Sequence, residues 1–244
     1  MVVGLYGGTG QMGQVLQALY RETEPETRVI IYSRSQLETL NGQTKPKVVI
    51  DFSHKDALED VLAFCQDNGL PLVLATTGFD ADQKATIKAA SDHIPLFYSA
   101  NLSLGIYVLK ALAREAARML DGDADIEIIE RHHKHNKDAP SGTALLLKDA
   151  MAQTTAFSRV VYGREGQSHR QAGEIGIHAV RGGSIVGDHT VLFALDSEII
   201  ELNHRGESRK LFARGAMKAA RFLTNQAPGL YGMDDLFYKE NGHE

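Results

Sequence analysis

Val2-Val-Gly-Leu-Tyr-Gly-Gly-Thr-Gly-Gln-Met-Gly13 is the stretch whose reading decides the fold. An apolar run from Val2 to Tyr6 gives way to glycines at 7, 10 and 13. A segment with Met12, Val15, Leu16, Leu19 and Tyr20 on one helical face follows. Strand, glycine loop and helix, in that order, are the setting in which such glycines hold a dinucleotide. Gly7 permits the tight turn, Gly10 lets the backbone approach a pyrophosphate at the helix start, and Gly13 allows close helix-to-strand packing. Gly8, Thr9, Gln11 and Met12 complete the expected contact loop.

Working outward, Arg28 to Tyr32 and Lys47 to Phe52 are too continuously apolar to own a solvent face, which fits a buried parallel sheet. Helices at about 55–66 and 81–90 and strands at 72–75 and 96–98 continue the alternation, and so predict right-handed βαβ units. Beyond Asn101 the character changes. A long helix at 104–120, a strand at 125–131 and a helix at 141–151 precede three strand-like runs at 175–181, 185–195 and 198–203. Gly182-Gly183-Ser184 reads as a hairpin joining the first two runs, so an open, largely antiparallel sheet is expected. A last helix, about 208–223, is expected to return to the first domain. The fold class is therefore α/β, with a Rossmann-like dinucleotide-binding domain at 1–102 and 214–244 and an α+β domain at 103–213.

Composition narrows the function classes. The single cysteine, Cys65, sits in an apolar helical pattern and reads as packed, which excludes a disulfide framework. No apolar run reaches the ~18 residues of a membrane span and no signal-peptide pattern opens the chain, so a cytoplasmic protein is expected. A net charge of -5 argues against a nucleic-acid partner. Cations concentrated at 131–137 and 205–214 suit a small anionic substrate.

Dinucleotide domains that prefer NAD usually end the second strand with a carboxylate for the ribose; here Ser33-Arg34-Ser35 stands instead. Arg34 suits a 2′-phosphate, so NADPH or NADH is expected, with a lean to NADPH. Ala75-Thr76-Thr77 and Ser99-Ala100-Asn101-Leu102 fall at the carboxyl ends of later strands, where they would line the nicotinamide end.

A second constellation runs Glu127-Ile-Ile-Glu-Arg-His-His-Lys-His-Asn-Lys-Asp-Ala-Pro-Ser-Gly-Thr143. Pro140-Ser141-Gly142-Thr143 has the chemistry of a helix start: Ser141 serves as cap, and the amides of Gly142 and Thr143 face outward at the positive end of the dipole. Capping alone also accounts for Ser141. Upstream, His132, His133 and His135 lie among Arg131, Lys134 and Lys137. Adjacent positions on an extended chain point to opposite sides and no Cys-x-x-Cys or His-Glu-x-x-His spacing completes a set, so no metal is expected. Histidine changes charge near neutral pH and suits a proton donor, while the cations hold an anion.

Together, the glycine loop, Thr76-Thr77-Gly78-Phe79, Ser99-Ala100-Asn101, Glu130-x-His132-His133, Asp138-Ala-Pro-Ser-Gly-Thr143 and Arg181-Gly-Gly-Ser-Ile-Val-Gly187 resemble the dihydrodipicolinate reductases, also called 4-hydroxy-tetrahydrodipicolinate reductases, of lysine biosynthesis. The resemblance implies NAD(P)H-dependent reduction of a cyclic imine dicarboxylate and a central substrate-binding domain that builds a homotetramer; the cofactor loop and the anion site add an expected closure about 101–104 and 206–214. It implies His132 as proton donor, His133 as a substrate contact, Gly142 and Thr143 as carboxylate holders, and Arg34 against a 2′-phosphate. The family pattern carries a lysine two residues before the aspartate; here that position is Asn136, and the cationic role passes to Lys137, with Lys134 next. Two other readings compete. Another two-domain dehydrogenase of the aspartate-semialdehyde type needs a cysteine nucleophile, which Cys65 in an apolar helix does not provide. A dinucleotide-sensing regulator has no use for the segment from His132 to Thr143.

Overall fold

The structure is a computed structural model and describes residues 1–33, 44–154, 157 and 159–240. The chain forms two compact units, Met1–Ser103 with Arg209–Glu244, and Leu104–Ser208. The expected return at 214 falls inside a helix that already belongs to the first unit.

In the first unit, β1 (Val2–Tyr6), α1 (Gln11–Thr23), β2 (Arg28–Tyr32) and β3 (Val48–Asp51) come first. A 3-10 turn at Lys55–Ala57, α2 (Leu58–Asp67), β4 (Leu72–Leu74), α3 (Ala81–Ser91) and β5 (Pro95–Tyr98) follow. The second unit holds α4 (Leu104–Leu120), β6 (Asp125–His132), α5 (Gly142–Ala152), β7 (Arg159–Tyr162), β8 (Glu174–Arg181), β9 (Gly187–Ala194) and β10 (Ile199–Gly206). The chain then returns through α6 (Lys210–Leu223), β11 (Gly229–Tyr231) and α7 (Met233–Glu240).

The first sheet is six-stranded in the order β11-β5-β4-β3-β1-β2, with every pairing parallel. Its central strands are buried on both faces, as their unbroken Val-Val-Ile and Leu-Val-Leu runs require. Residues of α2 and α3, including Val61, Cys65 and Ile87, pack with Tyr6, Val49, Leu72 and Leu96 in one core. Helix α6 packs on β3, β4, β5 and α1. Strand order reverses at β1, which lies between β2 and β3, and this opens a ligand crevice at the carboxyl ends of the strands.

The second sheet is open and runs β10-β9-β6-β8-β7. It is mixed: β9 pairs antiparallel with β10 and β6, whereas β6 to β8 and β8 to β7 are parallel. The hairpin expected between β8 and β9 is not formed, because β6 lies between them. The Gly182-Gly183 turn is real, but it is spent on the end of β6: the Gly182 amide donates to the His132 carbonyl (2.9 Å), and the Lys134 amide donates to the Gly183 carbonyl (3.3 Å). Ile126, Ile128, Ile177, Val191 and Phe193 point to the face covered by Leu109 and Ala113 of α4 and Leu147 and Met151 of α5. With a side-chain period of two, Glu127, Ile129 and Arg131 belong to the opposite face. That alternation separates the two halves of the sheet chemically and delivers the even-numbered residues of β6 to the site.

Candidate active site

Glu130 continues the buried row of β6 in place of an apolar residue, and its side chain is fully enclosed. Such a carboxylate is tolerated only with partners at every lone pair. Arg181, beside His132 in the β6–β8 register, forks onto it, with Nη1 on Oε2 and Nη2 on Oε1, both at 2.8 Å. The Ser141 amide donates to Oε1 at 3.0 Å, and the His132 ring meets Oε2 through Nδ1 at 2.6 Å. Burial alone would raise the Glu130 pKa; the Arg181 fork, the His132 ring and the Ser141 amide outweigh it and hold the group below the usual carboxylate range. An ionised carboxylate only accepts, so Nδ1 is the protonated nitrogen of His132 and Nε2 is the one left to exchange a proton.

Nε2 lies against Gly187, where an added Cβ would stand 3.0 Å from it. His189 packs edge-on to the His132 ring with centroids 5.1 Å apart, and its Nε2 lies 3.4 Å from the Ser141 hydroxyl. Burial first, and then the charge of His132, push His189 down to about 3, so at neutral pH it is an uncharged wall of the site.

Ser141 caps α5 as its sequence requires, its hydroxyl accepting from the Ala144 amide (3.2 Å). A Cβ added at Gly142 would meet no protein atom within 4 Å, so the space over the first turn of α5 is open to a ligand. His133 Nδ1 is enclosed without a hydrogen-bond partner among the described residues. Asn136 organises the intervening turn: its amide donates to the His133 carbonyl and its side-chain oxygen accepts from the Asp138 amide, each at 3.0 Å. Lys134 and Lys137 on that turn are exposed. The structure thus brings His132, His133, Ser141 and Gly142 to one end of the sheet. Glu130, Arg181, His189 and Gly187 join them there with no role foreseen. Motif membership alone had marked Glu130, Arg181 and Gly187, and His189 carried no mark.

In the first unit the glycine loop follows β1 directly. Gly7 has φ +81, and a Cβ there would come within 2.6 Å of the Phe52 carbonyl oxygen. A Cβ at Gly13 would lie 2.3 Å from the Gly7 oxygen, so the close packing it allows is against the loop rather than the strand. Gln14 and Gln17 brace the loop from α1 by donating to the carbonyls of Thr9 and Gly8 at 3.0 and 2.7 Å. Gly10 caps α1 without a side chain, which leaves the helix start accessible to a pyrophosphate. These residues therefore fit a dinucleotide.

Thr76 follows β4, and its hydroxyl donates to buried Asp51 at the end of β3 (2.7 Å). Burial raises the Asp51 pKa despite the bonds from Ser53 and Thr76. After β5, the Ser99 hydroxyl donates to the Asn101 carbonyl (2.7 Å), and the Asn101 side chain accepts from the Ser103 amide (2.8 Å). Leu102 presses its carbonyl onto α6 at Gly215, where a Cβ would stand 1.8 Å away. Thr77 and Ala100 lie in these same loops, with Ala75 immediately after β4. Arg34 lies outside the described residues. Cys65 is fully buried and burial pushes its thiol up, which removes it as a nucleophile.

A doubly wound sheet with a glycine loop at its switch point, in a chain whose other unit sets a carboxylate-paired imidazole beside an open helix start, defines a two-unit nicotinamide-dependent oxidoreductase. The comparisons with known proteins agree. Residues 1–102 match the N-terminal part, and residues 105–237 the C-terminal part, of the family described as dihydrodipicolinate reductase. A 4-hydroxy-tetrahydrodipicolinate reductase from Clostridium novyi is 48% identical, with 97% of this chain and 98% of that protein covered. One of the same name from Caldanaerobacter subterraneus subsp. tengcongensis is 44% identical over 96% of this chain and 97% of that protein. The dipicolinate-bound dihydrodipicolinate reductase of Paenisporosarcina sp. TG-14 superposes with a TM-score of 0.76 at 21% identity, covering 96% of this chain and 98% of that one, which supports the fold. The chain belongs to the dihydrodipicolinate reductase family.

Proposed function

We propose that this chain reduces 4-hydroxy-tetrahydrodipicolinate to tetrahydrodipicolinate with NADPH or NADH, in diaminopimelate and lysine biosynthesis. The observation that carries the reading is an imidazole oriented by an ionised, enclosed carboxylate, next to a helix start left open at Gly142. When bound in the crevice, the nicotinamide supplies a hydride. Gly7, Gly8, Thr9, Gly10, Gln11 and Met12 hold the pyrophosphate side; Ala75, Thr76, Thr77, Ser99, Ala100, Asn101 and Leu102 line the other end. Arg34 takes a 2′-phosphate, which favours NADPH.

The amides of Gly142 and Thr143 hold one substrate carboxylate. His133 contacts the substrate, and Lys137 supplies the cation that Asn136 does not. Loss of water from the substrate gives an α,β-unsaturated imine. Hydride addition to the β-carbon of that unsaturated imine leaves an enamine-type anion, and His132 protonates its α-carbon from Nε2, which restores the imine, a step of general acid catalysis worth about 10²- to 10⁴-fold. No helix among the described residues is long and apolar enough to cross a membrane, in keeping with a cytoplasmic enzyme. The sheet face opposite α4 and α5 leaves Val180 44% and Ile199 62% exposed and is the surface proposed for a homotetramer.

The test is a coupled assay in which the condensation product of pyruvate and aspartate semialdehyde is supplied and loss of NADPH or NADH absorbance is followed. Oxidation that depends on this substrate is expected, faster with NADPH; no oxidation of either cofactor overturns the reading.

A further inference from the structure

Arg181 has five N–H donors, and each has a protein acceptor. Nε donates to the Asn136 carbonyl (3.3 Å), Nη1 to Glu130 Oε2 and the Val180 carbonyl (both 2.8 Å), and Nη2 to Glu130 Oε1 (2.8 Å) and the Asp138 carbonyl. Its side chain is 19% exposed and has no donor to spare for an anionic ligand. The acceptors come from three places: the carboxylate that orients His132, the carbonyls on either side of Lys137, and its own strand. Glu130 is saturated in turn, Oε2 accepting from Arg181 and His132, and Oε1 from Arg181 and the Ser141 amide. One planar guanidinium therefore links the ring that exchanges the proton, the cap of the anion-binding helix and the backbone that carries the cation.

We propose that Arg181 is a positioning residue: it touches no substrate, and it fixes the Glu130–His132 pair and the 136–138 turn as one unit. The proposal rests on His132 being the proton donor. A fork is essential to it. Lysine carries its three donors on a single atom and cannot span both Glu130 oxygens and the two turn carbonyls, so Arg181→Lys keeps the charge and loses the geometry. Misplacement by about 1 Å costs on the order of 10²-fold in rate.

Three measurements on the full chain test this. Arg181→Lys should lower kcat about 10²-fold, with the KM for the nicotinamide cofactor close to that of the parent and the chain still folded at assay temperature, at a melting temperature lowered by the lost bond to Glu130. Arg181→Ala should regain turnover on addition of guanidinium but not of methylammonium. With ¹⁵N-labelled histidine and no ligand present, the His132 ring should show a proton fixed on Nδ1, far downfield, in the parent, and should lose it in Arg181→Ala. Parent-like kcat in Arg181→Lys, or an Nδ1 without a bound proton in the parent, overturns the proposal. The labelled spectrum of the parent decides the matter even where a variant fails to fold. An inactive parent that shows the fixed proton contradicts the proposed reaction but leaves the positioning intact. An active parent without it does the reverse.

Discussion

Glu127 and Glu130 stand three residues apart on β6, and each is met by an arginine and a histidine. An odd separation on a strand puts them on opposite faces. Glu127 lies on the face without α4 and α5, 20% exposed, bonded to His178 (2.7 Å) and paired with Arg170 and Arg164. Those arginines also serve Asp125 and Glu174, and Arg164 first, then Arg159 against burial, hold Glu174 at about 2. A Cβ at Gly176 would stand 1.7 Å from Glu127 Oε2, so the carboxylate is seated directly against the β8 backbone. Glu130 has one arginine instead of two, and its fourth bond comes from Ser141, the cap of a helix whose start is open. Similar residue types thus make a many-membered charge network on one face and, on the other, the carboxylate–imidazole pair to which proton transfer is assigned in the proposed reaction. The difference lies in the fourth partner of Glu130, a backbone amide that caps a helix with open space over Gly142.

The largest expected effect lies on the Glu130 face. His132→Gln should lower kcat by about 10²- to 10⁴-fold with little change in melting temperature, measured by steady-state kinetics; parent turnover would remove His132 as the acid. Gly142→Ala comes next and separates ligand binding from folding. The added methyl meets no protein atom, and alanine favours a helix over glycine by about 1 kcal/mol. Stability should rise slightly while the KM for the dicarboxylate rises about tenfold, and an unchanged KM would show that no carboxylate sits there.

A pH dependence follows from His189, whose folded pKa is lowered from 6.5 to about 3. Below about 6.5 the unfolded chain takes up a proton that the folded ring refuses, so stability is full above that pH and falls as pH drops toward 3. Between pH 8 and 5 the loss is about 2 kcal/mol, with the slope approaching about 1.4 kcal/mol per unit below pH 6. His189→Asn should flatten this slope in urea titrations at the two pH values; an unaltered slope would place the sensitivity elsewhere. The smallest effect belongs to the other face. Glu127→Gln should cost about 1–2 kcal/mol in the same titrations, as expected for a partly exposed ion cluster.

Much of the first unit was legible because its signals are local. The run Val2 to Tyr6, the glycines and the apolar stripe of α1 each declare themselves within a few residues, and the strand ends at Thr76 and Ser99 follow from the same alternation. Short late elements escaped: β7, β11 and α7 lack a periodic run long enough to stand out. In the second unit the Gly182-Gly183 turn was legible and its partner was not, since choosing β6 over β9 depends on pairing across the whole sheet. The same holds for the site. His132 and the capped helix lie within one segment, whereas Arg181 reaches Glu130 from 51 residues away and His189 arrives from β9. An acidic residue in a buried row makes sense only once that arginine is in place.

The two faces of β6 are compared most directly by measuring kcat for Glu127→Gln and Glu130→Gln side by side, with the cyclic imine dicarboxylate and NADPH. A loss of about 10²-fold or more in Glu130→Gln is expected, with parent turnover in Glu127→Gln. Equal losses in both, or a loss confined to Glu127→Gln, would contradict the assignment of proton transfer to the helix-covered face.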